Sequence, residues 1–290
     1  MSLTDSFQRA PAWVEPLMRY GYAARGVTYV ILGFLTFLAA WHGGQTEGTS
    51  STLGDIRNES WGVALLSVIA IGLLSYAVWR FVAAWFDLEM HGTGFKGVVA
   101  RIGLVITGLV HAGLALSVAR QAIGSGGDRD GVQSFASVLM QQDPWGAMLV
   151  VIAGLIVIGA GIYYAMKGLS ERYRRYLSET PTSRTLDPLV KAGLVAHGIV
   201  IVIVGGFLVY AGWTADPSQA GGMGLAFEAV RGVIFGRILL MALSLGLVAF
   251  AIYCFVEAVY RIIPRCGTAE TRTLAGGFMS VWDRRIGRLT

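Results

Sequence analysis

The stretch AGLVAHGIVIVIVGGFLVYAGWTA, residues 192–215, contains no Asp, Glu, Lys or Arg. A transmembrane helix needs about 20 mostly apolar residues, because the hydrocarbon core of a bilayer is about 30 Å thick. A transmembrane strand would instead alternate in polarity over about ten residues. Since this stretch is apolar on every face, we predict that it is a membrane-spanning helix.

Five further runs without charged residues have a similar length. They occupy residues 26–46, 60–79, 102–119, 144–166 and 238–256. The composition agrees, because 54% of the residues are hydrophobic and only 14% are charged, whereas soluble domains carry about 25% charged residues. The sequence therefore predicts an all-α polytopic membrane protein with six transmembrane helices. We expect these helices at about 20–41, 61–85, 98–121, 145–168, 189–212 and 234–261.

The basic residues indicate the orientation. Six spans alternate between two sides, and 17 of the 23 Lys and Arg residues then lie on the side of the N-terminus, against five on the opposite side; Arg80 lies inside a span. Cytoplasmic loops carry an excess of Lys and Arg. We therefore expect a multi-pass protein of the bacterial plasma (inner) membrane with both termini in the cytoplasm. A nucleic-acid partner is not needed to explain the net charge of +5.

The six helices form three tandem two-helix repeats. The first helix of each pair opens with a basic residue and two glycines, as in Arg19-x-Gly21-x4-Gly26, Arg101-x-Gly103-x4-Gly108 and Lys191-x-Gly193-x4-Gly198. The second helix opens with an aromatic residue and glycine, at 61–62, 145–146 and 235–236. Because both landmarks recur at similar offsets, we predict parallel repeats around a pseudo-threefold axis along the membrane normal.

The repeats divide the chain. We assign 18–90, 95–177 and 186–263 to repeats 1, 2 and 3, with an N-terminal cytoplasmic segment at 1–17 and a basic cytoplasmic tail at 264–290. Before the second helix of each repeat, we expect a short interfacial helix, at 131–142, at 222–232 and, in a shorter form, near 53–56. A further short helix is expected at 278–288 in the tail.

Three sequence features resemble a known family. They are the run GYAARGV at 21–27, the pair Trp79-Arg80 shortly after Gly72-Leu-Leu-Ser-Tyr76, and the ending Tyr253-x3-Glu257-Ala-Val-Tyr260-Arg261. These features are similar to those of the bacterial domain-of-unknown-function family 1206, and the resemblance covers about residues 18–263. It implies six helices in three copies of a two-helix unit and no assigned activity. The middle copy departs, since Thr107 stands where Arg25 stands in the first.

Polar groups within membrane spans are candidates for function, because burying them in hydrocarbon is unfavourable. Arg25, Thr107 and His197 occupy one repeat position, four residues after the first glycine. If that face points inward, they form a polar ring able to bind an anion or a lipid phosphate. The alternative is that Arg25 extends to the headgroups near the cytoplasmic surface and His197 bonds a neighbouring helix.

Other polar residues suggest structural roles. Lys167 and Glu257 occupy equivalent positions and have opposite charges, so we predict an intramembrane ion pair; a proton or ion relay through Glu257 is the alternative. His111 and His197 are candidate haem ligands, but they differ in depth by about one turn. We therefore predict no cofactor and no metal.

Function classes follow from these residues. The spans hold no nucleophile–base pair or metal-ligand spacing, so we expect no enzyme. The favoured interpretation is a membrane scaffold or a partner- or lipid-binding protein, with membrane lipids as partners through the basic loops. The alternative is a small-solute or ion transporter or channel with a polar site near the cytoplasmic ends of the first, third and fifth spans. A polar path along the axis would favour transport, and a dry core would favour a scaffold.

Overall fold

The computed structural model of the protein describes residues 13–42, 60–89, 91–125, 131–178 and 180–262. The regular secondary structure of the described part is helical apart from one isolated bridge between Leu177 and Arg261. The α-helices are α1 (Val14–His42), α2 (Gly62–Phe86), α3 (Phe95–Ala122), α4 (Gly131–Met140), α5 (Gly146–Leu169), α6 (Pro181–Thr185), α7 (Asp187–Thr214), α8 (Met223–Arg231) and α9 (Gly236–Tyr260). Two 3-10 helices lie at Arg172–Tyr176 and Pro217–Gln219.

Six of these helices, α1, α2, α3, α5, α7 and α9, are long and apolar enough to cross a membrane. The prediction of an all-α, six-span membrane protein is therefore confirmed. The helix ends agree with the expected ones to within a few residues, except that α1 begins at Val14. Pro16 is compatible with this earlier start, because it lies in the first turn, where a missing backbone N–H breaks no helical hydrogen bond.

Two short helices precede the second spans of repeats 2 and 3, as expected. In α8, Ala226 and Phe227 are buried against the bundle. In α4, only Ala136 is buried, whereas Phe135 and Val138 are exposed. The segments expected near 53–56 and at 278–288 lie outside the described residues, as do most of the N-terminal segment and the basic tail.

The spans form a ring with one opening. The most extensive contacts join the second helix of one repeat to the first helix of the next, at α2/α3, α5/α7 and α9/α1. Smaller contacts join the two helices within a repeat, at α1/α2 and α7/α9. Within the described residues, α3 and α5 of repeat 2 make almost no contact with each other. They are also the least buried spans, at 28% and 22%, against 44% or more for the others.

Small residues explain why repeat 1 closes. A Cβ placed on Gly21 of α1 would lie 2.6 Å from the Cα of Tyr76 on α2, so only glycine permits this approach. One turn further along, Gly72 of α2 lies directly against Ala24 of α1. Repeat 3 has the same arrangement, with Gly193 packed on the backbone of Phe250 and Gly246 on Ala196.

The middle repeat lacks this pair of small residues. Ile106 and Ile156 stand where the other repeats have Ala24 and Gly72, or Ala196 and Gly246. A Cβ placed on Gly103, which is equivalent to Gly21, would meet no neighbouring atom within 4 Å. Two isoleucines facing each other are too bulky for the close approach seen in the other repeats.

The opening between α3 and α5 exposes residues that are buried in the other repeats. Val110 on α3 is 62% exposed, whereas its equivalents Thr28 and Val200 are 2% and 0% exposed. We call this opening the α3/α5 cleft and define it by Gly103, Ile106 and Val110 on α3 and by Ile156 and Ala160 on α5.

Arginines tie the repeats together at one end of the bundle. Arg19 donates to the carbonyl oxygens of Ala258 (2.6 Å) and Val259 (3.0 Å), near the end of α9. Arg101 donates in the same way to Ala84 (2.6 Å) and Trp85 (3.1 Å) at the end of α2. Cations near helix C-termini are favourable. We refer to this end, where α1, α3 and α7 begin, as the basic end.

Candidate functional site

The interior of the ring contains ionisable side chains in the half nearer the basic end. Arg25, Arg80, Arg261, Glu257 and His197 are each at most 8% exposed. Ionised groups in an apolar interior are strongly disfavoured unless they are paired or hydrogen-bonded. Their partners therefore define what this region can do. They fall into two connected groups, a charge network at the basic end and a deeper site at Arg25 and His197.

The charge network is built around Glu257 and Glu89. The carboxylate of Glu257 accepts a hydrogen bond from the Tyr253 hydroxyl (2.6 Å) and pairs with Arg261. Lys167 Nζ lies 3.9 Å from Glu257 Oε1 and donates to the Tyr253 hydroxyl (2.8 Å). The structure thus brings together the two residues of the expected ion pair, with Tyr253 bridging them.

Glu89, in the connection between α2 and α3, lies against two arginines and a histidine. Its carboxylate lies 2.6 Å from Arg261, 3.3 Å from Arg80 and 3.2 Å from His91 Nε2. Burial raises the pKa of this carboxyl, but the Arg261 guanidinium, together with His91 and Arg80, holds the pKa of Glu89 well below its usual range. Glu89 is therefore ionised at neutral pH.

Arg25 lies deeper than the charge network. It lies six residues beyond Arg19, which donates to the end of α9 at the basic end, or about 9 Å along α1 at 1.5 Å per residue. At 3% exposed, its side chain is enclosed by the bundle and does not extend to the headgroup region. Its Nη1 donates to the Tyr76 hydroxyl (3.0 Å), and its Nη2 lies 3.3 Å from His197 Nε2.

Aromatic rings surround the guanidinium of Arg25. Its Cζ lies 4.9 Å from the ring centroid of Phe250, 5.1 Å from that of Tyr76 and 5.6 Å from that of Tyr29. Cation–π contacts of this kind stabilise a desolvated cation by about 2 kcal/mol. Within the described residues, no carboxylate lies within ion-pair distance of Arg25. Its charge is therefore only partly compensated by the protein.

Two buried nitrogen atoms at this site have no hydrogen-bond partner among the described residues, Arg25 Nε and His197 Nδ1. The tautomer of His197 follows from geometry: a guanidinium can only donate, so Nε2 accepts and the ring proton lies on Nδ1. Both unpartnered atoms are therefore N–H donors. Buried donors without an acceptor are rare and indicate a missing partner. We call Arg25, His197 and Tyr76 the Arg25–His197 site.

The third member of the expected ring lies elsewhere. The Thr107 hydroxyl donates to the Gly103 carbonyl oxygen of its own helix (2.8 Å). From α3 it is His111, one turn further on, that approaches the site, with its ring centroid 4.6 Å from that of Tyr76. From α5, the ring of Tyr164 lies 5.1 Å from that of His197. The expected residues Arg25 and His197 are thus in contact, and Thr107 is not part of their hydrogen bonds.

Tyr76 and Tyr164 were not among the candidate site residues from the sequence. The Tyr76 hydroxyl accepts from Arg25 and also from Arg80 Nε (2.8 Å), so it joins the deep site to the charge network. Tyr164 occupies the repeat position of Arg80 and Cys254. At this position, each repeat carries a side chain that can form hydrogen bonds. The aligned repeats therefore contain a signal that could have identified Tyr164.

Toward the opposite end of the bundle, the buried side chains become mainly apolar. The clusters beyond Arg25 are formed by residues such as Leu66, Ile69, Val118, Leu240 and Leu247. Ser244, which is fully buried there, donates to the Met241 carbonyl oxygen of its own helix. Among the described residues, the connected polar side chains therefore run from the basic end to the Arg25–His197 site and no further.

Comparison with known proteins agrees with this architecture. The chain is 28% identical over 258 residues to uncharacterized protein YxxB of Bacillus subtilis (strain 168), a match that covers 88% of this chain and 94% of the relative. No solved structure matches the chain. The family model described as Domain of Unknown Function (DUF1206) matches three times, at residues 20–87, 102–171 and 192–261. Each match covers the two spans of one repeat, and the chain belongs to this family.

Proposed function

We propose that this protein is a non-enzymatic membrane protein that binds an anionic group at the Arg25–His197 site. One observation carries the proposal: the buried guanidinium of Arg25 has no carboxylate partner among the described residues, and its Nε–H and the Nδ1–H of the adjoining His197 ring are both buried without an acceptor there. An anionic oxygen would accept from such donors through charge-assisted hydrogen bonds, which are stronger than neutral ones. It would also compensate the charge of Arg25.

The balance of buried charge supports the same proposal. The two connected groups contain four cations, namely Arg25, Arg80, Lys167 and Arg261, against the two carboxylates Glu89 and Glu257. His197 adds no charge, because its Nε2 accepts from Arg25 and the ring is therefore neutral. The interior therefore carries an excess of positive charge, which a bound anion would reduce.

Binding is favoured over transport because, in the part of the chain that the structure describes, the connected polar side chains reach one end of the bundle and not the other. A transporter needs access to its site from both sides of the membrane, whereas the half beyond Arg25 is mainly apolar. The excess of Lys and Arg at the basic end supports a cytoplasmic location for that end. We therefore place the access of the site on the cytoplasmic half of the membrane, where anionic lipids are the expected partners.

The test uses two probes that share one chemistry, inorganic phosphate and dodecyl phosphate, with dodecyl maltoside as the neutral amphiphile in all samples. We expect at least one probe to raise the melting temperature of the purified protein by several degrees, since ligand at 100 times its Kd stabilises by about 2.7 kcal/mol. Arg25→Gln should weaken binding of that probe at least tenfold.

Arg101→Gln is the matched control, because it removes the same charge from a residue that caps carbonyl groups at the basic end. It should keep the response of the unmodified protein. If Arg25→Gln does not fold, His197→Phe is the second test variant. It keeps an aromatic ring stacked on Phe250 (centroid distance 3.8 Å) but removes the Nδ1 donor. Equal responses of Arg25→Gln or His197→Phe and the unmodified protein, or no response to either probe, would overturn the proposal.

A further inference from the structure

We infer that the α3/α5 cleft holds the alkyl chain of a single-chain anionic lipid whose head lies at the Arg25–His197 site. The inference rests on the proposed function, since it names the class of ligand that delivers the anion. It also rests on an independent observation, the opening of the middle repeat.

The cleft is distinct from the ordinary lipid-facing surface. Leu155 on α5 is 56% exposed, and its equivalents Ile71 and Leu245 are 59% and 56% exposed, so this position faces lipid in all three repeats. Val110 is different, because both of its equivalents are buried. The neighbouring position Ile156 is 49% exposed where the other repeats have glycines in close contact with a partner helix.

The lining of the cleft selects an apolar occupant. Gly103, Ile106, Val110, Ile156 and Ala160 carry no polar side-chain atom, and they lie within the predicted spans. Water in such a slot would find no hydrogen-bond partners among these side chains. A hydrocarbon chain restores the van der Waals contacts that α3 and α5 do not make with each other.

The two helices that border the cleft also contact the anion site. His111 of α3 lies against Tyr76, and Tyr164 of α5, which is partly exposed, lies against His197. Lys167, one turn nearer the basic end of α5, adds a further cation. A molecule with an apolar chain in the cleft and a negative head at its inner end therefore matches both the shape and the charge.

Depth limits the kind of head. Arg25 lies about 9 Å along α1 from Arg19 at the basic end, and its side chain is enclosed by the bundle, so the bulky headgroup of a diacyl phospholipid does not reach it. A head that reaches it must be small and able to leave the interface, such as the phosphate of a monoalkyl phosphate or the carboxylate of a fatty acid. Such groups match the bidentate geometry of a guanidinium.

The experiment fills the cleft. The affinities of dodecyl phosphate and of inorganic phosphate are measured for the unmodified protein, for Ile156→Trp and for the control Leu155→Trp, which adds the same ring to the neighbouring lipid-facing position. We expect dodecyl phosphate to bind the unmodified protein at least tenfold more tightly than inorganic phosphate. Ile156→Trp should weaken the binding of dodecyl phosphate at least tenfold and leave the binding of inorganic phosphate unchanged. Leu155→Trp should change the binding of neither probe.

A second measurement keeps the inference testable if Ile156→Trp does not fold. Dodecyl phosphate with a diazirine at the end of its chain is photolysed on the unmodified protein, and the labelled peptides are identified. Label in the peptides that contain Val110 and Ile156, abolished by excess dodecyl phosphate, supports the inference. Label spread evenly over lipid-facing residues such as Ile71 and Leu245 contradicts it.

The remaining outcomes separate the two proposals. If phosphate binds in an Arg25-dependent manner but the alkyl chain adds no affinity, the anion site stands and the cleft inference falls. If neither probe binds, both the proposed function and the cleft inference are wrong. If the unmodified protein is a dimer in light scattering and Ile156→Trp is a monomer, a second copy of the chain covers the cleft, and the inference is wrong.

Discussion

At the residue scale, the three repeats share a backbone plan but not their polar side chains. One position carries Arg25, Thr107 and His197, a second carries Arg80, Tyr164 and Cys254, and a third carries Ala83, Lys167 and Glu257. At each of these positions, the three repeats therefore carry different side chains. A symmetric frame with an asymmetric centre suits one ligand in one orientation better than three equivalent ligands.

Glu89 leads to a pH prediction. Its pKa in the folded protein is held well below the value of 4.5 expected in the unfolded chain, mainly by Arg261 against the opposing effect of burial. Its ionised form therefore stabilises the fold fully above about pH 4.5, and this stabilisation is lost as the pH falls further. We expect Glu89→Gln to be less stable at pH 7 by about 3 kcal/mol, with a difference that narrows between pH 5 and pH 3.

Melting curves of the unmodified protein and Glu89→Gln across this pH range provide the measurement. Curves that stay parallel down to pH 3 would show that Glu89 is not the titrating group. If Glu89→Gln is as stable as the unmodified protein at pH 7, the ion pairs of Glu89 do not stabilise the fold.

The sequence predicted Arg25 and His197 as candidates because a repeat alignment places equivalent residues at one level of the membrane. It did not identify Tyr76 or Tyr164 as members of the site. The spans are apolar on every face, so hydrophobicity does not distinguish the side that faces the centre from the side that faces lipid. Which hydroxyl meets Arg25 depends on the rotation of each helix, and that rotation is fixed by glycine contacts between helices.

At the scale of helices, close packing through glycine determines which pairs touch. Gly21 and Gly103 are equivalent residues with different surroundings, one pressed against the Tyr76 backbone and the other facing the α3/α5 cleft. The same substitution at the two sites should therefore affect stability differently.

We expect Gly21→Ala to destabilise the protein by about 2 kcal/mol, since its Cβ would meet backbone atoms at 2.6 Å and force α1 away from α2. Gly103→Ala meets no neighbouring atom within 4 Å and should be neutral or stabilising by up to about 1 kcal/mol, because alanine favours a helix over glycine. Thermal unfolding in detergent compares the two. Equal destabilisation by both variants would contradict the open middle repeat.

Helix positions could be predicted from the sequence, but the separation of α3 from α5 could not. Its signal, Ile106 and Ile156 in place of an Ala and Gly pair, is present in the sequence. It becomes interpretable only when the contacting faces of the other two repeats are known. Length and hydropathy define a span, whereas helix partners depend on a few small side chains.

At the scale of the whole molecule, the fold brings most basic connections to one end. Ser170, just beyond α5, and Ser218, between α7 and α8, are exposed at opposite ends of the bundle. With Cys266 replaced by serine and Cys254 buried, cysteines introduced at these two sites report the orientation.

In intact cells, an impermeant maleimide should label Ser218→Cys and should label Ser170→Cys only after the membrane is permeabilised. This expectation follows from the excess of Lys and Arg on the side of Ser170. The reverse pattern would place the basic end, and the access to the Arg25–His197 site, outside the cytoplasm.

The contact between the first and last spans has a consequence for biogenesis. Arg19 donates to Ala258, 239 residues away in the chain, and the side of α1 that carries Gly26 and Gly33 packs on Phe255 and Val248 of α9. During synthesis, α1 enters the membrane before its principal neighbour exists. Arg19 and the glycine-lined face of α1 must therefore remain without these partners until α9 is inserted, so the contact between α1 and α9 forms only after the other described spans have been made.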